Sequence, residues 1–429
     1  MAGLQETLQT LHAQLGTLID SYSRSTDDQE DFVQRSKIIA ITKEVHHVLL
    51  KPEDIAVHQS ARMTELVVLR VVHHLDLFQY FTGSAYTSLD ELTKESKVQT
   101  ALLLRILRML TVTGYLKQHE DDTHSFSLTN LGQSAKDTKD FYQFMYDDVF
   151  TKVQRFHEFI TDEHVPGYIP LTEATDSRYC PATWQAGCMG ETIWTWMKNN
   201  PAAIARAQKV FMSEKDMTNN IIGAYDFSQL AIGDQKDNRL CLVDVGGGAG
   251  QSVAHILKAC PQLEPSKFML QDLEGPINMC ERAKLLPVET KKVVHDFFSP
   301  QPDSAHGAKA FLLRRILHVS VSDKVSRTSV TNTFQDWSDA TCVTILKHIA
   351  TAMARDSVIL ICDVVVPQRV EEKDIRLLVN DWVVISLGGK ERTRDDFERL
   401  FDAAGLVLVK IHRQHADLGA NTIIEGRKN

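Results

Sequence analysis

Residues 242–250 read Leu-Val-Asp-Val-Gly-Gly-Gly-Ala-Gly, and residues 251–260, QSVAHILKAC, continue with helical spacing. An apolar run, a glycine-rich turn and a helix start form the nucleoside-binding corner of doubly wound α/β folds. The glycines let the backbone approach a ligand lying over the strand ends. Outward from this corner the chain alternates short apolar runs with amphipathic stretches. Strands are expected at 240–245, 267–270, 292–297, 310–317, 358–366, 406–412 and 422–425, with helices between them at 337–355 and 393–404 among others. That alternation predicts a mostly parallel sheet in a Rossmann-like α/β domain. Only a short polar link, 414–420, joins the last two strands. It is too short for a parallel crossover, so the final strand should run antiparallel.

The glycines Gly246, Gly248 and Gly250 alternate instead of following GxGxxG with a third glycine in the helix. The pattern leans away from NAD and toward S-adenosylmethionine; the plainer alternative is a tight turn with no ligand. Asp244 lies inside the strand ahead of the glycines, and Asp272 ends the next strand, where a carboxylate can accept both ribose hydroxyls. His295-Asp296-Phe297 end the third strand. A carboxylate and an aromatic ring there suit an adenine amino group and one ring face, or else simply cap the strand.

Upstream, Leu4, Leu8, Leu11, Leu15 and Leu18 make a narrow apolar seam on one helix, which must pack on the chain itself or on a partner subunit. Residues 21–31 read as a polar connector and 61–78 as a helix. Ser88 with Glu91 resembles a capping box opening a second helix, and Thr100 opens a third that closes near Gly114. Residues 115–119 and 124–128 then read as a β-ribbon. Three helices and a ribbon describe a winged helix. Its third helix is apolar nearly all round, which favours core or dimer interface over DNA contact. Residues 142–230 read as mainly helical and rich in aromatics and methionines; Trp194 and Met212 are the substrate-pocket candidates.

The chain has 429 residues, 47 basic and 56 acidic, for a net charge of −9. An acidic balance argues against nucleic acid as the main partner, because phosphate neutralisation needs a basic face. Seven cysteines are scattered without a CxxC pair, which supports neither a zinc site nor a disulfide framework. No clustered carboxylates point to a metal. The absence of a basic, apolar leader and of a long apolar run predicts a cytoplasmic protein without a membrane partner.

Taken together, LVDVGGGAG, QDL at 271–273, HDFF at 295–298, LLRRILH at 312–318, DWSD at 336–339 and GGKERT at 388–393 resemble the S-adenosylmethionine-dependent O-methyltransferases of the caffeate type. YDF at 225–227 is similar to the fungal branch that includes sterigmatocystin O-methyltransferases. The resemblance spans nearly the whole chain. It implies an N-terminal dimerisation segment (1–50), a winged-helix-like dimerisation domain (51–140), a helical linker and pocket region (141–235) and a cofactor-binding catalytic domain (236–429). It implies S-adenosylmethionine at Gly246, Gly247, Asp272, Asp296, Phe297, Arg314 and Trp337. It also implies His318 as general base flanked by Asp363 and Glu391, a small hydroxylated aromatic substrate, a homodimer and secondary metabolism. A phenol with a pKa near ~10 needs such a base before it attacks the sulfonium methyl. Other chemistry on the same fold, such as a pericyclic or decarboxylating reaction, would not need the base.

One departure stands out. In the family the base histidine is followed directly by DWSD, whereas here VSVSDKVSRTSVTNTFQ, residues 319–335, intervenes. The segment lacks glycine and proline, unlike most surface insertions. Removing it restores HDWSD in frame, so a retained intron is suspected, with a genuine β-ribbon insertion as the alternative. Spliced transcript that keeps the segment would exclude the intron. As written, the chain is expected to fold but to turn over weakly.

Overall fold

The computed structural model describes residues 2–25, 28–83, 85–174, 176–203, 205–206, 221–231, 238–317, 339–413 and 422–429. His318, Trp337, Met212 and the whole of 319–335 lie outside them. The chain divides into two units, one of Met1–Leu11, Lys43–Thr151 and Met197–Glu214, the other of His12–Thr42, Lys152–Trp196 and Lys215–Asn429.

Two helices open the sequence, α1 (Ala2–Ser21), which carries the leucine seam, and α2 (Asp28–Leu49). The connector between them is therefore shorter than expected. Helix α3 (Pro52–His74) begins well before residue 61. Pro52 fits the first helical position, where no amide donor is required, and Glu53 and Asp54 favour the positive helix end. In the first unit, α4 (Leu89–Ser96) starts where Ser88 Oγ accepts from the Glu91 amide at 3.2 Å, as the capping signal implied. Helix α5 (Thr100–Val112) follows. Strands β1 (Thr87–Ser88), β2 (Leu116–Gln118) and β3 (Ser125–Leu128) pair antiparallel in the order β1-β3-β2. Leu69, Val72, Phe78, Leu103, Leu107 and Phe126 form the core beneath them.

The second unit holds a seven-stranded sheet. Its strands are β4 (Leu242–Val245), β5 (Phe268–Asp272), β6 (Lys291–Val294), β7 (Ala310–Arg314), β8 (Val358–Asp363), β11 (Leu406–Arg413) and β12 (Thr422–Lys428). Between β8 and β11 lies a separate two-stranded parallel pair, β9 (Val365–Val366) and β10 (Arg392–Thr393). The seven strands run in the order β11-β12-β8-β7-β4-β5-β6. Strands β6, β5, β4, β7 and β8 are parallel, and β12 runs antiparallel to β8 and to β11. The short last link thus has the predicted consequence. All seven expected strands form, but three stop early. Strand β6 ends at Val294 instead of Phe297, β7 at Arg314 instead of Leu317, and β8 at Asp363 instead of Val366, which belongs to β9. Arg315, at φ 53°, leaves the extended region.

Alternation along the strands divides the apolar core between two faces. Val243, Val245, Phe311, Leu313, Ile359 and Ile361 face α8 (Asp339–Ala352) and α10 (Arg394–Ala403). Leu242, Leu270, Leu312 and Leu360 face α6 (Gln251–Ala259) and α7 (Glu274–Ala283). Helix α9 (Ile375–Ser386) precedes β10. Phe311, fully buried on the central strand β7, is the test of this core. Phe311→Ala should cost about 3–5 kcal/mol in chemical denaturation, because the cavity adds to the lost transfer energy.

Among the described residues, no helix is long and apolar enough to cross a membrane. Nor does any group of three or more His, Cys, Asp and Glu side chains there form a place for a metal ion.

Candidate active site

The glycine turn leaves β4 over the ends of its neighbours. Gly246 takes φ +68°, and a Cβ on it would meet Ile316 Cδ1 at 2.8 Å and the Phe297 ring at 3.2 Å. Gly247 has no such torsion, but a Cβ there would lie 2.3 Å from Asp244 Oδ2 and 2.6 Å from Leu270 Cδ1. A side chain is strained at Gly246 by the positive φ and crowded at Gly247 by the packing. The turn is tied to β5 by the Gly247 amide donating to the Gln271 carbonyl at 3.1 Å and the Gly248 amide donating to Asp272 Oδ2 at 2.7 Å.

Asp272 is 3% exposed. Its Oδ1 accepts from the Leu273 amide at 2.7 Å, and its carbonyl accepts from the His295 amide at 2.9 Å, which joins the ends of β5 and β6. Beyond β6, Asp296 Oδ1 accepts from the Phe298 amide at 3.0 Å, and Phe297 packs on Gly246 as described. Arg314 ends β7, half-buried; desolvation lowers its pKa while Cys362 and Asp244 pull it back. The structure therefore brings Gly246, Gly247, Asp272, Asp296, Phe297 and Arg314 to the carboxyl ends of β4 to β7, where open α/β sheets bind ligands.

Asp244 is a residue that sequence reasoning noted without giving it a role. It is completely buried below Gly247, with no hydrogen-bond partner for either carboxylate oxygen. Burial pushes its pKa up to about 7, Arg314 opposing and Asp272 adding to the shift. Between an ordinary carboxyl pKa near ~4 and pH ~7, the folded chain keeps a proton that the unfolded chain has released. This site therefore favours folding on the acid side, and that contribution is lost as pH rises through about 7. The melting temperature of the protein without added ligand should fall from about pH 5 to about pH 8, and Asp244→Asn should flatten that slope.

These features fit an adenosyl cofactor carrying a positive centre. A cradle that excludes side chains faces the strand ends, and a partnerless buried carboxylate lies beneath it. Asp272 presents a buried carboxylate beside the turn, held by the Gly248 and Leu273 amides.

A second cluster gathers around Arg392. The parallel pairing of Val365 with Arg392 aligns β9 with β10, just beyond Asp363 and Glu391. Both acids are buried, at 4% and 6% exposure. Asp363 Oδ1 accepts from the Val364 amide at 2.9 Å. Glu391 Oε1 accepts from Asn380 Nδ2, and the Glu391 amide donates to Asp381 Oδ1 at 2.9 Å. Burial raises the Asp381 pKa, which that amide bond opposes and the Glu391 charge reinforces. Asp363 acts electrostatically on Arg392. The guanidinium of Arg392 donates through Nη1 to the Leu317 carbonyl, immediately before His318, and through Nη2 to Asp339 Oδ1 at 2.7 Å. Arg392 was quoted in GGKERT without a role; its two-residue strand is too short for periodicity to reveal.

An aromatic wall adjoins this cluster. Phe159, Phe156, Tyr168 and Trp184 pack together with Leu387, and Trp382 of α9 meets Phe156 at 5.5 Å between ring centroids. Trp194 lies on the helix Ile193–Lys198; its side chain is outside the description, as is Met212.

Residues 174–407, more than half of the sequence, match the O-methyltransferase domain family. Methyltransferase fsa4 of Fusarium sp. is 28% identical over 352 residues, 81% of this chain and 89% of that protein. O-methyltransferase kntB of Aspergillus niger is 25% identical over 413 residues, 95% and 91% of the two chains. The crystal structure of OxaC in complex with SAH and oxaline gives a TM-score of 0.75 at 22% identity, covering 99% of this chain and 100% of that one. The structure of LepI in complex with SAM gives 0.73 at 21% identity, with 99% and 100% covered. At such identities the structures establish the fold, a methyltransferase fold with a mixed, mostly parallel sheet. The domain match identifies the family: the chain belongs to the O-methyltransferases, enzymes that take their methyl group from S-adenosylmethionine.

Proposed function

We propose that the chain methylates a hydroxyl of an aromatic, polyketide-like small molecule in fungal secondary metabolism, with His318 as general base. The observation that carries this reading is the Arg392 cluster. Asp363, one of the acids expected beside the base, is buried and acts on a guanidinium that also holds the carbonyl directly before His318, and Glu391, the other, is buried at the residue preceding that arginine. Gly246, Gly247, Asp272, Asp296, Phe297, Arg314 and Trp337 hold the cofactor, which supplies an already activated methyl. His318 takes the proton from the substrate hydroxyl as the oxygen attacks. Asp363 and Glu391 orient the imidazole and support its charge. The aromatic wall aligns the acceptor for in-line displacement, which is most of what the protein must add.

Supporting the substrate class, the OxaC structure holds oxaline. The N-terminal region is read as a winged-helix-like dimerisation domain, and Met63 and Val67, one turn apart on α3, and Leu102 on α5 are exposed apolar side chains available to it. A second reading has a specific observation behind it: a neighbour of the same fold is described as a pericyclic reaction enzyme, with a TM-score of 0.73 at 21% identity.

Incubation with trideuteromethyl-labelled S-adenosylmethionine and a panel of mono- and dihydroxynaphthalenes separates the two. Mass spectrometry should find the label on oxygen. Cofactor binding with no transfer to any acceptor, by the full chain and by a form lacking 319–335, would favour the second reading.

A further inference from the structure

We propose that Arg392 is a positioning residue for the reaction, clasping the two flanks of residues 318–338. One buried guanidinium holds the Leu317 carbonyl and the Asp339 carboxylate together, and so fixes the backbone that leads into His318. The inference rests on the reading of His318 as base.

The Arg392 side chain is 3% exposed, whereas that of Asp339 is 50% exposed. Its two acceptors come from opposite ends of the segment 318–338. The Leu317 carbonyl ends the chain that leaves β7, and Asp339 opens α8. Nε and Nη2 both reach Asp339 Oδ1, at 3.2 and 2.7 Å, while Nη1 serves Leu317. A planar, forked donor fixes the direction to each of two acceptors on separate segments, which an ammonium with three rotatable donors does not. Neighbouring groups reinforce both ends. Cys342 Sγ donates to the same Leu317 carbonyl at 3.5 Å, and Lys390 Nζ lies 3.7 Å from Asp339 Oδ2.

Arg392 is itself located by the β9–β10 pair, so the clasp is anchored to the strand ends that carry Asp363 and Glu391. Leu317, next to the base in sequence, is thereby tied to the strand ends that carry the acids.

The test uses the full chain with labelled S-adenosylmethionine and a dihydroxynaphthalene acceptor. Arg392→Gln should lower kcat by about 100-fold, the cost of a misplacement of about 1 Å. The Kd for S-adenosylhomocysteine should stay within about twofold, because the glycine corner is built on other strands. In a His318→Ala background the same substitution should cost nothing further, and Arg392→Lys should restore only part of the loss. Independently of turnover, hydrogen exchange in Arg392→Gln should quicken at 315–317 and 339–342 and hardly change elsewhere. If Arg392→Gln does not fold, Asp339→Asn at the half-exposed end carries the same readouts, with about a tenfold fall in kcat.

Unchanged exchange at both flanks overturns the clasp. So does a loss that multiplies with that of His318→Ala, or wild-type kcat in Arg392→Gln while His318→Ala is inactive; each leaves the base reading standing. Wild-type kcat in His318→Ala overturns the base reading and the clasp with it.

Discussion

His318→Ala should lower kcat by roughly 10²- to 10⁴-fold, the range a positioned general base contributes, while calorimetric binding of S-adenosylhomocysteine stays unchanged. The cofactor methyl is already activated, so the barrier left to the protein lies in deprotonating and aligning the acceptor. Removing the base touches the first and leaves the glycine corner intact. Asp363→Asn and Glu391→Gln should give smaller losses, since these residues orient the base and do not take the proton. An acceptor hydroxyl acidic enough to ionise unaided should narrow the gap between wild type and His318→Ala. A uniform loss across acceptors of different acidity would mean that His318 positions substrate and does not accept its proton.

The second large effect belongs to Gly247→Val. The first carbon of any side chain there would lie 2.3 Å from Asp244 Oδ2 and 2.6 Å from Leu270 Cδ1. Asp244 is a short, fully buried side chain on β4 and has nowhere to retreat. The turn must therefore lift away from β5, breaking the amide contacts to Gln271 and Asp272. Overpacking of this kind costs about 1–3 kcal/mol in stability. The displaced corner should weaken S-adenosylhomocysteine by at least about 100-fold, the scale set by a misplacement of about 1 Å. Full affinity in a folded Gly247→Val protein would remove the glycine turn from the cofactor's seat.

Much of this architecture was legible because a parallel sheet buried on both faces needs continuous apolar strands. LVDV, FMLQD, AFLLR and VILICD stand out for that reason, and the short link before β12 fixes its direction. Boundaries were less legible. Nothing in LLRRILH announces that Arg315 adopts a positive φ and ends β7 early. Helix α3 begins at Pro52, and the signal was present in Lys-Pro-Glu-Asp at 51–54, but the apolar periodicity only becomes regular later. Helix α9 carries apolar residues on most sides, IRLLVNDWVVIS, so no stripe marked it.

In the candidate site, residue types inside runs of known pattern could be read one by one. What holds them together could not. Asp244 becomes notable only when both of its oxygens are found buried without partners, and Arg392 only when its guanidinium is found between Leu317 and Asp339. Both facts depend on packing between segments distant in sequence.

The most direct measurement is calorimetric titration of the 429-residue protein with S-adenosylhomocysteine, beside a form lacking residues 319–335. The glycine turn and Asp272 are carried by β4 and β5, strands that the segment does not supply, so both forms should bind, with Kd in the micromolar range or tighter. Binding by neither form, with both folded, would contradict the cofactor site and the methyl-transfer chemistry built upon it.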